Sequence, residues 1–139
     1  MAEPTMGPTS GVTPYLTIKD GAAAAAVAFY VRAFGATEVF RHPADDGKRL
    51  LHAHLLINGA SVMLSDDFPE YRDGVPVGDP AGVTLHLQVA DADVIWNQAL
   101  AAGAVEVLAL ADQFWGDRYG KIRDPFGHGW SIASRSKTA

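Results

Sequence analysis

The sequence predicts an α+β fold: two βαβββ modules pairing into a curled mixed sheet around a cup, with the helices outside. Three observations predict it. First, residue patterns run strand, helix, then three strands, and the order restarts. Second, Gly35-Ala36-Thr37-Glu38-Val39 matches Gly103-Ala104-Val105-Glu106-Val107, and Gly59 matches Gly127, all at an offset of 68 residues. Third, one side of the strands alternates polar against apolar, so each sheet has two different faces. One helix covers only one face of its sheet, and pairing two such units is the natural way to cover more.

Each element has a local reason. In Val12 to Ile18, Leu16 and Ile18 oppose Thr13, Tyr15 and Thr17, the pattern of a half-buried strand. Asp20 stands where an N-cap belongs, ahead of a helix over Ala22 to Phe34 with Ala26, Tyr30, Ala33 and Phe34 as its packing stripe. Gly35 then sits at C′. Thr37 to Arg41 reads as a strand and Pro43 to Gly47 as a turn. Leu50 to Ile57 and Ser61 to Ser65 are strands around Asn58-Gly59, a strong hairpin signal. In the second half Val83 to Val89 alternates, Asp91 caps a helix ending near Gly103, and Val105 to Leu110 is a strand. Tyr119 to Arg123 and His128 to Ala133 are two more, joined by Asp124-Pro125-Phe126-Gly127. The resulting boundaries are a flexible tail over 1–11, module one over 12–65, a linker over 66–81, module two over 82–135 and a tail over 136–139. Together the modules make a single domain.

The 139 residues suit one domain that buries its own core. With no cysteine there is no disulfide, thiolate nucleophile or Cys-ligated zinc. The net charge of −5 and the lack of a basic run argue against nucleic acid and anionic membranes as partners. No apolar stretch reaches the ~20 residues of a membrane span, and the first eleven residues lack the pattern of a secretory signal. The expectation is a cytoplasmic protein.

The strand face opposite the helices carries the functional signal. It holds Thr13, Tyr15 and Thr17; His52, His54 and Leu56; Ser61, Met63 and Ser65; Thr84, His86 and Gln88; and Gly129, Ser131 and Ala133. An unsatisfied polar group in a core costs about 1–3 kcal/mol, so this face suits a cup that orients a ligand better than a dry core. His52-x-His54 places two imidazoles on one strand face, and His86 is a third. Three histidines with water as fourth ligand can bind zinc; without metal, any of them can serve as a general base. Trp115 and Tyr119, on the loop before the seventh strand, can stack on a planar ligand or anchor their own loop. Asp117-Arg118 and Arg123-Asp124 are candidate ion pairs. His128 and Trp130 read as structural residues, and Trp96 as a packing or dimer residue.

Val12-Thr-Pro-Tyr-Leu-Thr-Ile18 with Phe29-Tyr30 and Ala33-Phe-Gly-Ala36, His52-Ala-His-Leu55, Met63-Leu-Ser-Asp-Asp-Phe-Pro-Glu70, and Phe114-Trp-Gly-Asp-Arg-Tyr-Gly120 with Asp124-Pro-Phe-Gly-His128 and Trp130 resemble the vicinal-oxygen-chelate superfamily (glyoxalase, bleomycin resistance, dioxygenase), in its PhnB-like branch. The resemblance spans Val12 to Ser134. It implies paired βαβββ modules, a small-molecule ligand and a homodimer. It also implies metal-ligand positions on the first and last strands of each module, which fall here at Thr13, Met63, Thr84 and Ser131. None of these is a good ligand for a divalent metal.

The expected function is therefore small-molecule binding of the glyoxalase/bleomycin-resistance type, without the superfamily metal and without a cofactor. The expected ligand-binding residues are Tyr15, His52, His54, Met63, Thr84, His86, Trp115, Tyr119 and Ser131; no catalytic residue is assigned. The alternative is an enzyme, a metal-dependent lyase, isomerase or dioxygenase, with a divalent transition metal relocated to His52, His54 and His86. A third reading is a partner-binding dimer whose cup is vestigial.

Overall fold

A computed structural model describes residues 7–137. The first half contains β1 (Tyr15–Ile18), α1 (Ala23–Phe34), β2 (Thr37–Pro43), β3 (Leu50–Ile57) and β4 (Ala60–Asp66). A single 3-10 turn over Pro69–Arg72 follows. The second half contains β5 (Thr84–Gln88), α2 (Ala92–Ala102), β6 (Val105–Asp112), β7 (Asp117–Arg123) and β8 (Gly129–Arg135). These strands form two four-stranded sheets, ordered β1-β4-β3-β2 and β5-β8-β7-β6. In each, the first strand runs parallel to the last and the other pairs are antiparallel. The α+β class and the doubled strand-helix-three-strand order are as the sequence predicts. The chain divides into two units, one running to Val31 and over Gly35–Gly78, the other comprising Arg32–Phe34 and the chain from Asp79 onward. No helix among the described residues is long and apolar enough to cross a membrane.

The predicted turns hold in detail. Asn58 and Gly59 both take positive φ, 52° and 81°, the backbone of a tight primed hairpin turn. Gly35 ends α1 in the left-handed region, its N–H bonding to Tyr30 and Val31 carbonyls. Asp91 caps α2, its side chain accepting from the Asp93 N–H at 3.1 Å.

Other expectations need correction. β1 starts at Tyr15, three residues late. Pro14 has no N–H for the ladder, although its carbonyl still accepts from the Met63 N–H at 2.9 Å. Asp20 is not the cap of α1. It takes φ 62° in a turn with Gly21, and α1 has no local side-chain cap. The cap comes from across the sheet, where Asp66 Oδ1 accepts from Ala23 N at 2.8 Å and Oδ2 from Leu50 N at 2.6 Å. Asp66, expected to open the linker, is thus the buried last residue of β4. Tyr119 lies within β7 rather than in the loop before it, because β7 begins at Asp117 and β6 extends to Asp112. Of the two tails, residues 1–6 and 138–139 lie outside the described residues.

The helix-side faces are the apolar ones. In the first unit Leu16, Ile18, Ala53, Leu55, Ile57, Val62 and Leu64 are buried, as are Phe29 and Tyr30 of α1. In the second, Leu87, Ile122, Trp130 and Ile132 are buried with Trp96 of α2. A fully buried side chain of this size contributes about 1.5–3 kcal/mol. Trp96 packs so closely over β7 that a Cβ on Gly120 would lie 2.6 Å from its ring. Trp130 is 2% exposed and donates from Nε1 to Asp124 Oδ2 at 2.9 Å, which fixes it as the structural residue the sequence suggests.

Candidate functional site

With each helix side packed, the opposite face of each sheet carries the polar residues. In the first sheet, ladder register aligns Tyr15, Met63, His54 and Phe40 across β1, β4, β3 and β2. The hydroxyl of Tyr15 lies 2.9 Å from His52 Nδ1. His54 is 3% exposed; its Nε2 lies 2.8 Å from Ser61 Oγ, and its Nδ1 has no partner among the described residues. Phe40 and His42 continue the face outward, with ring centroids of Phe40 and His52 6.3 Å apart. Burial of its phenol end raises the Tyr15 pKa above its usual value, partly offset by a hydrogen bond with Ser65.

The second sheet builds a different face on the same frame. The corresponding row is His86, Ser131, Lys121 and Leu108. His86 is held at both ring nitrogens: Nε2 lies 2.8 Å from Gln88 Oε1 and Nδ1 lies 2.6 Å from Ser131 Oγ. An amide oxygen only accepts, so Nε2 donates to Gln88. The His86 ring stacks on Tyr119, centroids 5.9 Å apart at 21°. Tyr119 meets Trp115 edge-on at 5.5 Å, and Trp115 meets Phe114 edge-on at 5.1 Å. Four rings thus run in sequence from β5 to the β6–β7 loop. Phe114 is 97% exposed and Trp115 48%. The loop is braced behind them by the Gln113 N–H, which donates to the Asp117 carbonyl at 2.7 Å.

The ion pairs of this unit lie outside the ring run. Arg118 donates to both carboxylate oxygens of Asp93, at 2.9 and 3.1 Å, and tethers β7 to α2. That bonding holds the Asp93 carboxyl below its usual range and raises Arg118. Asp117 faces Arg135 at 3.6 Å rather than pairing with its neighbour Arg118. Asp124 accepts from the Phe126 and His128 N–H groups and from Trp130, shaping its own turn.

A family model for the glyoxalase/bleomycin resistance protein/dioxygenase superfamily matches residues 14–132. The chain belongs to this superfamily. It is 50% identical over 127 residues to an uncharacterised protein of Mycobacterium tuberculosis strain H37Rv, covering 87% of this chain and 72% of that one. A solved structure of a Pseudomonas aeruginosa protein superposes with TM-score 0.75 at 26% identity, covering 91% and 98% of the two chains. A PhnB protein from Bacillus cereus, described as a putative 3-demethylubiquinone-9 3-methyltransferase, shares the fold with TM-score 0.68 at 19% identity, covering 90% and 99%.

The superfamily's metal-ligand positions can now be tested against these residues. Met63 lies level with Tyr15 and Ser131 with His86. Thr84 lies level with Gly129, and Thr13 precedes β1. The donors on offer are a thioether and three hydroxyls, one of them engaged by His86. That set does not fit a divalent transition metal. Among the described residues no group of three His, Asp or Glu side chains could hold a metal ion. His52 and His54 lie on β3 of one unit and His86 on β5 of the other.

The nine expected ligand residues therefore fall into two groups. Tyr15, His52, His54 and Met63 share the first sheet's face; Thr84, His86, Ser131, Tyr119 and Trp115 share the second's or its loop. Phe40, His42 and Lys121 belong to these faces too, beyond the nine residues expected from the sequence. Alternation along β2 and β7 points to them, but phenylalanine as a residue type suits a core and lysine a surface, so neither marks a site by itself.

Proposed function

We propose that this superfamily member binds a planar, aromatic small molecule on the second sheet's open face, without the superfamily metal. The observation that supports it is the run of rings from His86 through Tyr119 and Trp115 to Phe114, with two large apolar rings left exposed at its end. Exposed aromatic surface beside a fixed polar pair is how small-molecule sites combine contact area with orientation. His86, held between Gln88 and Ser131, supplies the polar pair. Tyr15, His52, His54 and Met63 line the ligand face of the first sheet in this reading, and the protein is a cytoplasmic homodimer.

Trp115 reports on this directly, because Trp96 and Trp130 are buried. A stoichiometric aromatic ligand found by thermal-shift screening quenches tryptophan emission in the wild type and not in Trp115→Phe. Truncation to Trp115→Ala weakens binding by about 1–3 kcal/mol, the worth of one stacked ring. A panel with no binder, or a binder indifferent to Trp115, rejects the reading. One equivalent of transition metal in untagged protein, lost from His52→Ala/His54→Ala, would replace it with the relocated metal site. Sedimentation equilibrium tests the dimer.

A further inference from the structure

A cavity of about 230 Å3 opens at the start of β5 and β8, lined among others by Thr84, Val107, Lys121, Arg123, Gly127 and Gly129. No acidic side chain lines it. Its cations, Lys121 and Arg123, stand outside the chain's ion pairs. Arg41, Arg49, Arg72, Arg118 and Arg135 each pair with a carboxylate. No ion pair joins Lys121 or Arg123 to a carboxylate among the described residues. In a chain of net charge −5, this cavity brings two cations together with no acidic side chain in its lining.

The ladder explains the space. Thr84, Gly129 and Arg123 form one row across β5, β8 and β7, beside the row His86, Ser131 and Lys121. Gly129 has no side chain at the centre, and a Cβ there would meet only the Val83 carbonyl, at 3.6 Å. The gap between a hydroxyl and a guanidinium is therefore open, with Lys121 on the adjoining rung. The first sheet has Leu56 level with Ser61 and His54 level with Met63 at the matching places, and so carries no such cations.

From this we infer that the cavity is an oxyanion subsite, taking the carboxylate or phosphate of the ligand through Lys121 and Arg123, with the Thr84 hydroxyl as a further donor. Guanidinium and ammonium groups are the side chains that hold such anions. The volume is below that of a drug-sized site and suits an anionic end rather than a whole ligand. Tyr119, Lys121 and Arg123 alternate on one face of β7, and alternate strand residues are about 7 Å apart. The ligand is thus an aromatic ring carrying an anion about 7–13 Å away. The inference rests on the proposed function only for the ring.

The test uses the full chain, labelled with 15N. Inorganic phosphate, titrated at constant ionic strength, should give saturable shifts at Thr84, Arg123 and Gly129. Lys121→Gln/Arg123→Gln should weaken that binding by about tenfold or more, while the charge-keeping Lys121→Arg should not. Shifts that chloride reproduces, that never saturate, or that persist in the double variant overturn the subsite. A second arm follows Trp115 emission with 5-phenylpentanoate, 4-phenylbutyl phosphate and the uncharged 5-phenylpentan-1-ol, long enough for ring and anion to reach both places. Preference for either acid supports the subsite, and the tighter one identifies the anion. Equal quenching by acid and alcohol leaves the ring shelf standing and overturns the subsite. Phosphate binding without quenching by any of the three supports the subsite and rejects the ring shelf.

Discussion

The two units use one frame for different surfaces. Where the first sheet has Tyr15, Met63, His54 and Phe40 in a row, the second has His86, Ser131, Lys121 and Leu108. One rung along, the first sheet places His52 beside Tyr15, while the second places Tyr119 beside His86. The tyrosine and the histidine have exchanged strands, yet the rings still meet. The helix-side faces differ less in role: each final strand sends one polar side chain to the first turn of its helix, Asp66 to Ala23 N and Ser134 to Ala92 N. The frame tolerates almost any chemistry on its open face but requires that one backbone group be met. The open face is therefore where the units have room to differ in function.

That requirement predicts the largest effect. Asp66 satisfies two buried backbone N–H groups, Ser134 only one. Asp66→Ala should cost about 2–6 kcal/mol, at about 1–3 for each buried donor left unpaired, and Ser134→Ala should cost only about 1–3. Urea denaturation measures both. Equal losses would mean that the two staples do not differ as their bonds imply.

A second difference lies in packing. Ala53 stands level with Leu64, and Gly120 holds the matching place level with Ile132. The first unit accepts a methyl there. The second does not, because Trp96 fills the space and the Leu108 carbonyl lies 2.9 Å from any Cβ at Gly120. Gly120→Ala should therefore cost about 1–3 kcal/mol. A melting temperature unchanged from wild type would show that neither Trp96 nor the Leu108 carbonyl walls off this position.

The doubled order was legible because its signals are local: Asn58-Gly59, Gly35, Asp91 and period-two alternation each act within a few residues. Asp20 misled because a cap need not be local. It has the right residue type at the right spacing, but the long-range carboxylate of Asp66 takes the role, and only the fold brings Asp66 there. The histidines were found by alternation, and their partners were not, since register decides whether His52 meets Tyr15 or another hydroxyl. The cations of the cavity were the least legible. Arg123 precedes Asp124 and looks paired in sequence, but Asp124 spends its oxygens on its turn and on Trp130.

The smallest expected effect separates the two tyrosine–histidine contacts. Tyr15 gives its proton up less readily in the folded chain than its ordinary value of 10.0, because its phenol end is desolvated. The folded state therefore binds that proton more tightly than the unfolded one. The stability this group contributes is fully present below pH 10 and is lost as pH rises through the raised folded value. Urea midpoints measured from pH 8 upward should fall more steeply in the wild type than in Tyr15→Phe, which has no phenol to ionise. Near neutrality the same substitution should cost about 1 kcal/mol or less, since the bond it removes is exposed. Parallel pH slopes in the two proteins would show that Tyr15 is solvated after all, and that its contact with His52 differs from the His86–Tyr119 stack only in geometry.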